Sequence, residues 1–137
     1  MTYMSLEKYH NLQRSGNGRE KRGRGRGSKY HNEAMYYNEA RYDSVAEATR
    51  AASLDYLVAA GDILGWTRQV RFPLGSFEHV YVVDFLVWHI DGTTHVEDVK
   101  GFETASFRTK KRLWKRYGPC PLHVISGKNL EIIEPRP

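Results

Sequence analysis

Cysteine is nearly absent from this chain: Cys120 is the only one in 137 residues. One thiol excludes an intramolecular disulfide and fits a reducing compartment. It also argues against zinc at Cys120-x-x-His123, because no second cysteine completes the ligand set. As a nucleophile, Cys120 lies between Pro119 and Pro121 with no identifiable base. Long apolar runs are missing too. No stretch approaches the ~20 residues of a membrane span, and no secretory leader pattern is present, so the expectation is a cytoplasmic protein without membrane contact. Acidic residues are scarce at the start. Residues 1–31 hold eight Lys/Arg against two Glu, a net charge of +6, whereas residues 32–137 hold thirteen basic and fourteen acidic groups, a net of −1.

This imbalance separates an arm from a domain. Residues 1–28, with Arg19-Glu-Lys-Arg-Gly-Arg-Gly-Arg-Gly27, have no apolar periodicity and too little to bury, which predicts disorder. Arg22, Arg24, Arg26 and the adjacent Lys29 are candidates for phosphate contacts that add affinity without sequence choice. A solubilising tail is the plainer alternative. Residues 29–137 are long enough for a single domain with a modest core.

That domain is organised around two apolar runs. Val80 to Ile90 is apolar on both faces except for Asp84 and His89, as expected of a central strand covered on both sides. Asp91-Gly92-Thr93-Thr94 is a turn signal, so the second run, His95-Val96-Glu97-Asp98-Val99-Lys100, should return antiparallel. Side chains alternate along it: Val96, Asp98 and Lys100 share one face, and Glu97 and Val99 the other. A carboxylate buried at Asp84 costs several kcal/mol, roughly, unless it is compensated, so Asp84 needs a partner. If it shares the face of Asp98 and Lys100, two carboxylates and one ammonium converge, an oxygen-rich arrangement suited to Mg²⁺. His89 and His95 also lie on this hairpin and can approach one another; a structural role is expected of them.

Around the hairpin, residues 33–42 read as a short strand or an extended lead-in. Ser44-Val-Ala-Glu47 is a capping box that opens a helix over about 45–60, ended by Gly61. Glu47 lines up with Ala51, Leu54 and Val58 on the core-facing stripe, an unusual place for a glutamate that is only a cap. Ile63–Trp66 reads as a turn and 67–72 as a strand with Val70 and Phe72 inward. Residues 104–117 read as a helix capped by Thr104 or Ser106, with Phe107 and Trp114 toward the sheet. Its face carries Arg108, Lys110, Lys111, Arg112, Lys115 and Arg116 with no acid between them, which predicts self-repulsion and binding to a phosphate backbone. Strands follow at 122–125 and at 130–133.

The pattern D…(D/E)-x-K, here Asp84 with Asp98-Val99-Lys100, resembles the signature of the PD-(D/E)XK nuclease superfamily. Lys29-Tyr-His-Asn32, Tyr42-Asp-Ser44-x-x-Glu47-Ala48, Val83-Asp84-Phe85 and Val96-Glu-Asp-Val-Lys-Gly101 together resemble a phage-encoded family of that superfamily, long catalogued as a domain of unknown function, over roughly residues 29–126. Val83 stands where the superfamily name has proline. The resemblance implies an α/β fold with a mixed sheet of about four to five strands flanked by helices. It also implies a nuclease that uses Mg²⁺, with Mn²⁺ able to substitute. Asp84, Asp98, the Val99 carbonyl and Glu47 would be metal ligands and Lys100 the catalytic amine. DNA would be the partner, in recombination, repair or the processing of branched junctions; symmetric junction cleavage would call for a homodimer. The reading from another class is a non-catalytic nucleic-acid-binding protein that uses the same basic surfaces.

Overall fold

The computed structural model describes residues 34–76 and 78–137. The arm expected over 1–28, with Arg22, Arg24 and Arg26, and Lys29 lie outside the described residues. The chain divides into two compact units, one ending at Ala52 and one running from Ser53 to Pro137.

In the first unit, the segment read as a short strand or an extended lead-in is a hairpin of two short strands. β1 (Met35–Tyr37) pairs antiparallel with β2 (Ala40–Tyr42). Its two-residue turn has Asn38 at φ 48° and Glu39 at φ 67°. Positive φ at both central positions is what a tight hairpin requires to match strand twist. The rings of Tyr37 and Tyr42 lie 6.4 Å apart on one side of it. The helix α1 (Val45–Ala60) then starts where expected. Ser44 Oγ accepts from the Glu47 backbone N–H at 3.1 Å, the capping bond that its position predicts.

The unit boundary falls within α1, and the helix ends in the second unit. There Asp62 N–H donates to Leu57 O at 2.9 Å and Gly61 N–H to Val58 O at 3.1 Å, with Gly61 at φ +80°. This double bond pattern is the Schellman stop, and it turns the chain within two residues. No further turn is needed, so Ile63–Trp66 is not one: β3 (Ile63–Pro73) begins immediately. Trp66 donates from Nε1 to Asp55 Oδ1 at 2.9 Å and meets Phe85 edge-on at 5.5 Å, which holds this part of the strand in place.

β4 (Val80–His89), β5 (Thr94–Val99), β6 (Leu122–Ser126) and β7 (Asn129–Ile133) complete a five-stranded sheet in the order β3-β4-β5-β6-β7. All neighbours are antiparallel except β5 and β6, which run parallel and are joined through α2 (Ala105–Tyr117). Among the described residues the architecture is therefore α/β, with a five-stranded mixed sheet and two helices, within the expected range. Thr104 caps α2, accepting at Oγ1 from the Phe107 N–H at 3.1 Å. Phe107 and Trp114 are its buried residues. Trp114 meets Phe72 at 5.1 Å and Tyr81 at 5.8 Å, both edge-on, and donates from Nε1 to Cys120 O at 2.7 Å. Gly118 closes the helix because a Cβ there would sit 2.6 Å from Trp114. Among the described residues, no helix is long and apolar enough to cross a membrane.

Besides the register shift between Ile63 and Gly65, β3 and β4 depart from strict alternation further along. Tyr81, Val83, Val70 and Phe72 join the core of Val96, Leu122 and Trp114, whereas Phe85 meets Trp66. Both strands exchange faces between the pairs Val70–Val83 and Arg68–Phe85. The residues in that gap are Gln69, at φ 52°, and Asp84. A left-handed residue inside a strand marks a local bulge, and bulges re-aim neighbouring side chains.

Candidate active site

Asp84 sits where β4 and β5 part. Their pairing runs from Trp88–Thr94 to Phe85–Glu97 and goes no further. Beyond it, the Val99 N–H would lose its ladder partner, and Asp84 Oδ2 accepts from it at 2.8 Å. The partner required for Asp84 is thus a backbone amide of the neighbouring strand. On the other side of β5, Lys100 N–H donates to Ile125 O at 2.8 Å, so the Val99–Lys100 backbone is pinned from both strands.

Asp98 is 1% exposed. The Tyr81 hydroxyl donates to its Oδ2, and Lys100 Nζ pairs with the same oxygen at 3.0 Å. Asp98 and Lys100 therefore share a face, as the alternation of β5 predicts. The ammonium also lies 4.6 Å from the centre of the Phe107 ring, where the face of the ring attracts a cation.

Tyr81 is not marked by any sequence pattern. Its phenol is pushed far above its ordinary range, first by burial, then by the charge of Asp98, the hydrogen bond to it, and the charge of Asp84. The hydroxyl therefore keeps its proton and can only donate to Asp98. Because Asp84 Oδ2 is bonded to the N–H of Val99, the residue after Asp98, both carboxylates lie on one region of the sheet. Glu47 belongs to the first unit, where its backbone serves the helix cap.

The six cations of α2 do not behave alike. Lys110 turns inward and donates to Val80 O at 2.7 Å. Lys111 pairs with Glu103 and, at 3.2 Å, with Glu131; the Glu103 bond leads in raising its pKa. The acids absent from the run are thus supplied by the segment before α2 and by β7, which relieves part of the expected self-repulsion. Arg112 leans on Thr109 Oγ1 at 3.4 Å. Arg108, Lys115 and Arg116 are exposed and form the outward cationic face.

Cys120 is buried, and burial pushes its thiol upward, against a role as nucleophile. A family model described as "Protein of unknown function (DUF1064)" matches residues 27–128. The chain belongs to this family. The matched segment spans β1 to β6, and with them Asp84, Asp98 and Lys100. No curated protein and no solved structure matches the chain.

Proposed function

We propose that this protein is a PD-(D/E)XK-type, Mg²⁺-dependent nuclease that hydrolyses DNA phosphodiester bonds, with Asp84, Asp98 and Lys100 at its centre. The observation that carries the reading is that Asp84 reaches the Val99 N–H, between Asp98 and Lys100 in sequence, while the Lys100 ammonium pairs with Asp98. Two adjacent anions against one cation leave negative charge in a half-buried place, which favours a bound divalent cation over mutual repulsion. The donors are hard oxygens on rigid strands, which suits Mg²⁺ better than a softer ion. Neither bond described to Asp98 uses Oδ1.

Asp84 and Asp98, with the Val99 carbonyl, would hold the ion. When bound, Mg²⁺ acidifies a coordinated water and offsets charge on the phosphoryl oxygens. The protein supplies the rest. Asp84 fixes the β5 backbone through the Val99 N–H. Tyr81 is a positioning residue: by donating to Asp98 it orients that carboxylate. Lys100, paired with Asp98, donates to the attacking water or to the oxygen that gains charge. The exposed Arg108, Lys115 and Arg116 would hold the DNA backbone. All of these groups belong to the second unit.

Incubating the full chain with supercoiled, linear and branched DNA tests this function. Cleavage is expected with Mg²⁺ or Mn²⁺ and none with chelator, and the preferred DNA form names the substrate. Salt-sensitive binding without cleavage of any form would instead favour the non-catalytic reading.

A further inference from the structure

The opposite face of β5 carries a second cluster of ligand-type side chains. Three histidines and a glutamate meet there, drawn from three strands. His95 and Glu97 are two residues apart on β5, and His123 of β6 is the register partner of Glu97. Glu97 is completely buried and His95 nearly so. His95 Nε2 lies 2.8 Å from Glu97 Oε1, and its other nitrogen, Nδ1, lies 2.5 Å from His89 Nε2. The His123 ring stacks on that of His95, with centroids 4.0 Å apart and planes 21° apart. One ligand atom from each of His95, Glu97 and His123 lies within 4.8 Å of the others.

We propose that His95, Glu97 and His123 form a binding site for a late first-row divalent cation, with Zn²⁺ the expected occupant. Two imidazoles and one carboxylate are the donor set such ions take, and Mg²⁺, which prefers oxygens and water, is a poor match for it. A carboxylate with no exposure is stabilised by positive charge, and an ion shared with two rings brings that charge close. The second ring nitrogen of His95 is held by His89, the outer contact that fixes the tautomer of a ligating histidine. The ion takes the place of the proton between His95 Nε2 and Glu97 Oε1. The neutral ring keeps that proton by changing tautomer: it moves to Nδ1 and donates to His89 Nε2, and the ring proton of His89 then sits on its own Nδ1. Nearly parallel rings do not aim both lone pairs at one point, so binding turns the His123 ring out of its stack. His123 is the half-buried member of the set, which makes it the side of entry.

This site is independent of the nuclease reading: it lies across the sheet from Asp98 and Lys100 and uses none of their atoms. A search along the sequence for a cysteine partner to Cys120 misses it, because the fold brings His123 to His95 and Glu97 instead.

The test is a titration of the chelator-stripped full chain with Zn²⁺, read by calorimetry, and with Co²⁺, read by its ligand-field absorption. One ion per chain is expected, with histidine ring NMR shifts in the wild type confined to His89, His95 and His123. Affinity should fall about 10–100-fold in His89→Ala, an outer contact, and more in His123→Ala and Glu97→Gln. It should persist in Asp98→Asn. No uptake, ring shifts elsewhere, or uptake that survives both His123→Ala and Glu97→Gln would overturn the proposal. The wild-type NMR arm decides the matter even where a variant fails to fold.

Discussion

Tyr81 shows how much one side chain depends on a local departure from regular pleating. Counting by twos from Asp84 puts Tyr81 on the opposite face of β4, and nothing in its neighbours marks it as special. Only the exchange of faces at Gln69 and Asp84 brings its hydroxyl to Asp98. Asp84 itself was legible, because a carboxylate in an otherwise apolar central strand demands a partner. What was not legible was that the partner is the Val99 N–H, since this depends on where β4 and β5 separate. Tyr81→Phe leaves a buried carboxylate short of one donor, and chemical denaturation should show a loss of about 1–3 kcal/mol. The pH dependence has a definite sign. Folding raises the pKa of this phenol, so its contribution is complete below the unfolded value of about 10 and is lost as pH rises beyond it. Wild-type stability, followed by denaturant midpoint, should therefore fall more steeply above that pH than that of Tyr81→Phe.

Among the helices and strands, the hairpin and both helices were readable because periodicity, turn residues and caps agreed for each. Thr104 and Gly118 bound α2 within a residue of where sequence places them. The start of β3 was not readable: Ile63–Trp66 resembles a turn in composition, and the Schellman bonds at Gly61 and Asp62 had already reversed the chain. The charge of α2 was read correctly in sign but not in distribution, since Glu103 and Glu131 lie outside the basic run in sequence and close to Lys111 in space. This makes the helix divisible by experiment. Replacing Arg108, Lys115 and Arg116 with Ala should weaken DNA binding and flatten the slope of log K against log salt by about 0.9 for each phosphate that is no longer neutralised. Lys111→Ala should leave that slope unchanged and act on stability instead. Fluorescence anisotropy across a salt series separates the two outcomes.

In the molecule taken entire, β5 is the strand that carries both proposed sites. Its alternation sends Asp98 and Lys100 to the face of α2, and His95 and Glu97 to the other face. The first set was visible as a D-x-K triplet. The second was invisible in sequence because His123 is contributed by β6 across a parallel crossover. Hydrolysis at the first set is the central proposal, and it is best checked by single-turnover cleavage of one DNA substrate by wild type, Asp84→Asn and Lys100→Met. Both variants should keep the fold: an amide at 84 can still accept from the Val99 N–H, and Met keeps the apolar stem against Phe107. A drop of about 10²-fold or more in the Mg²⁺-dependent rate of each is predicted, whereas rates equal to wild type in both folded variants would refute a hydrolytic centre at these residues.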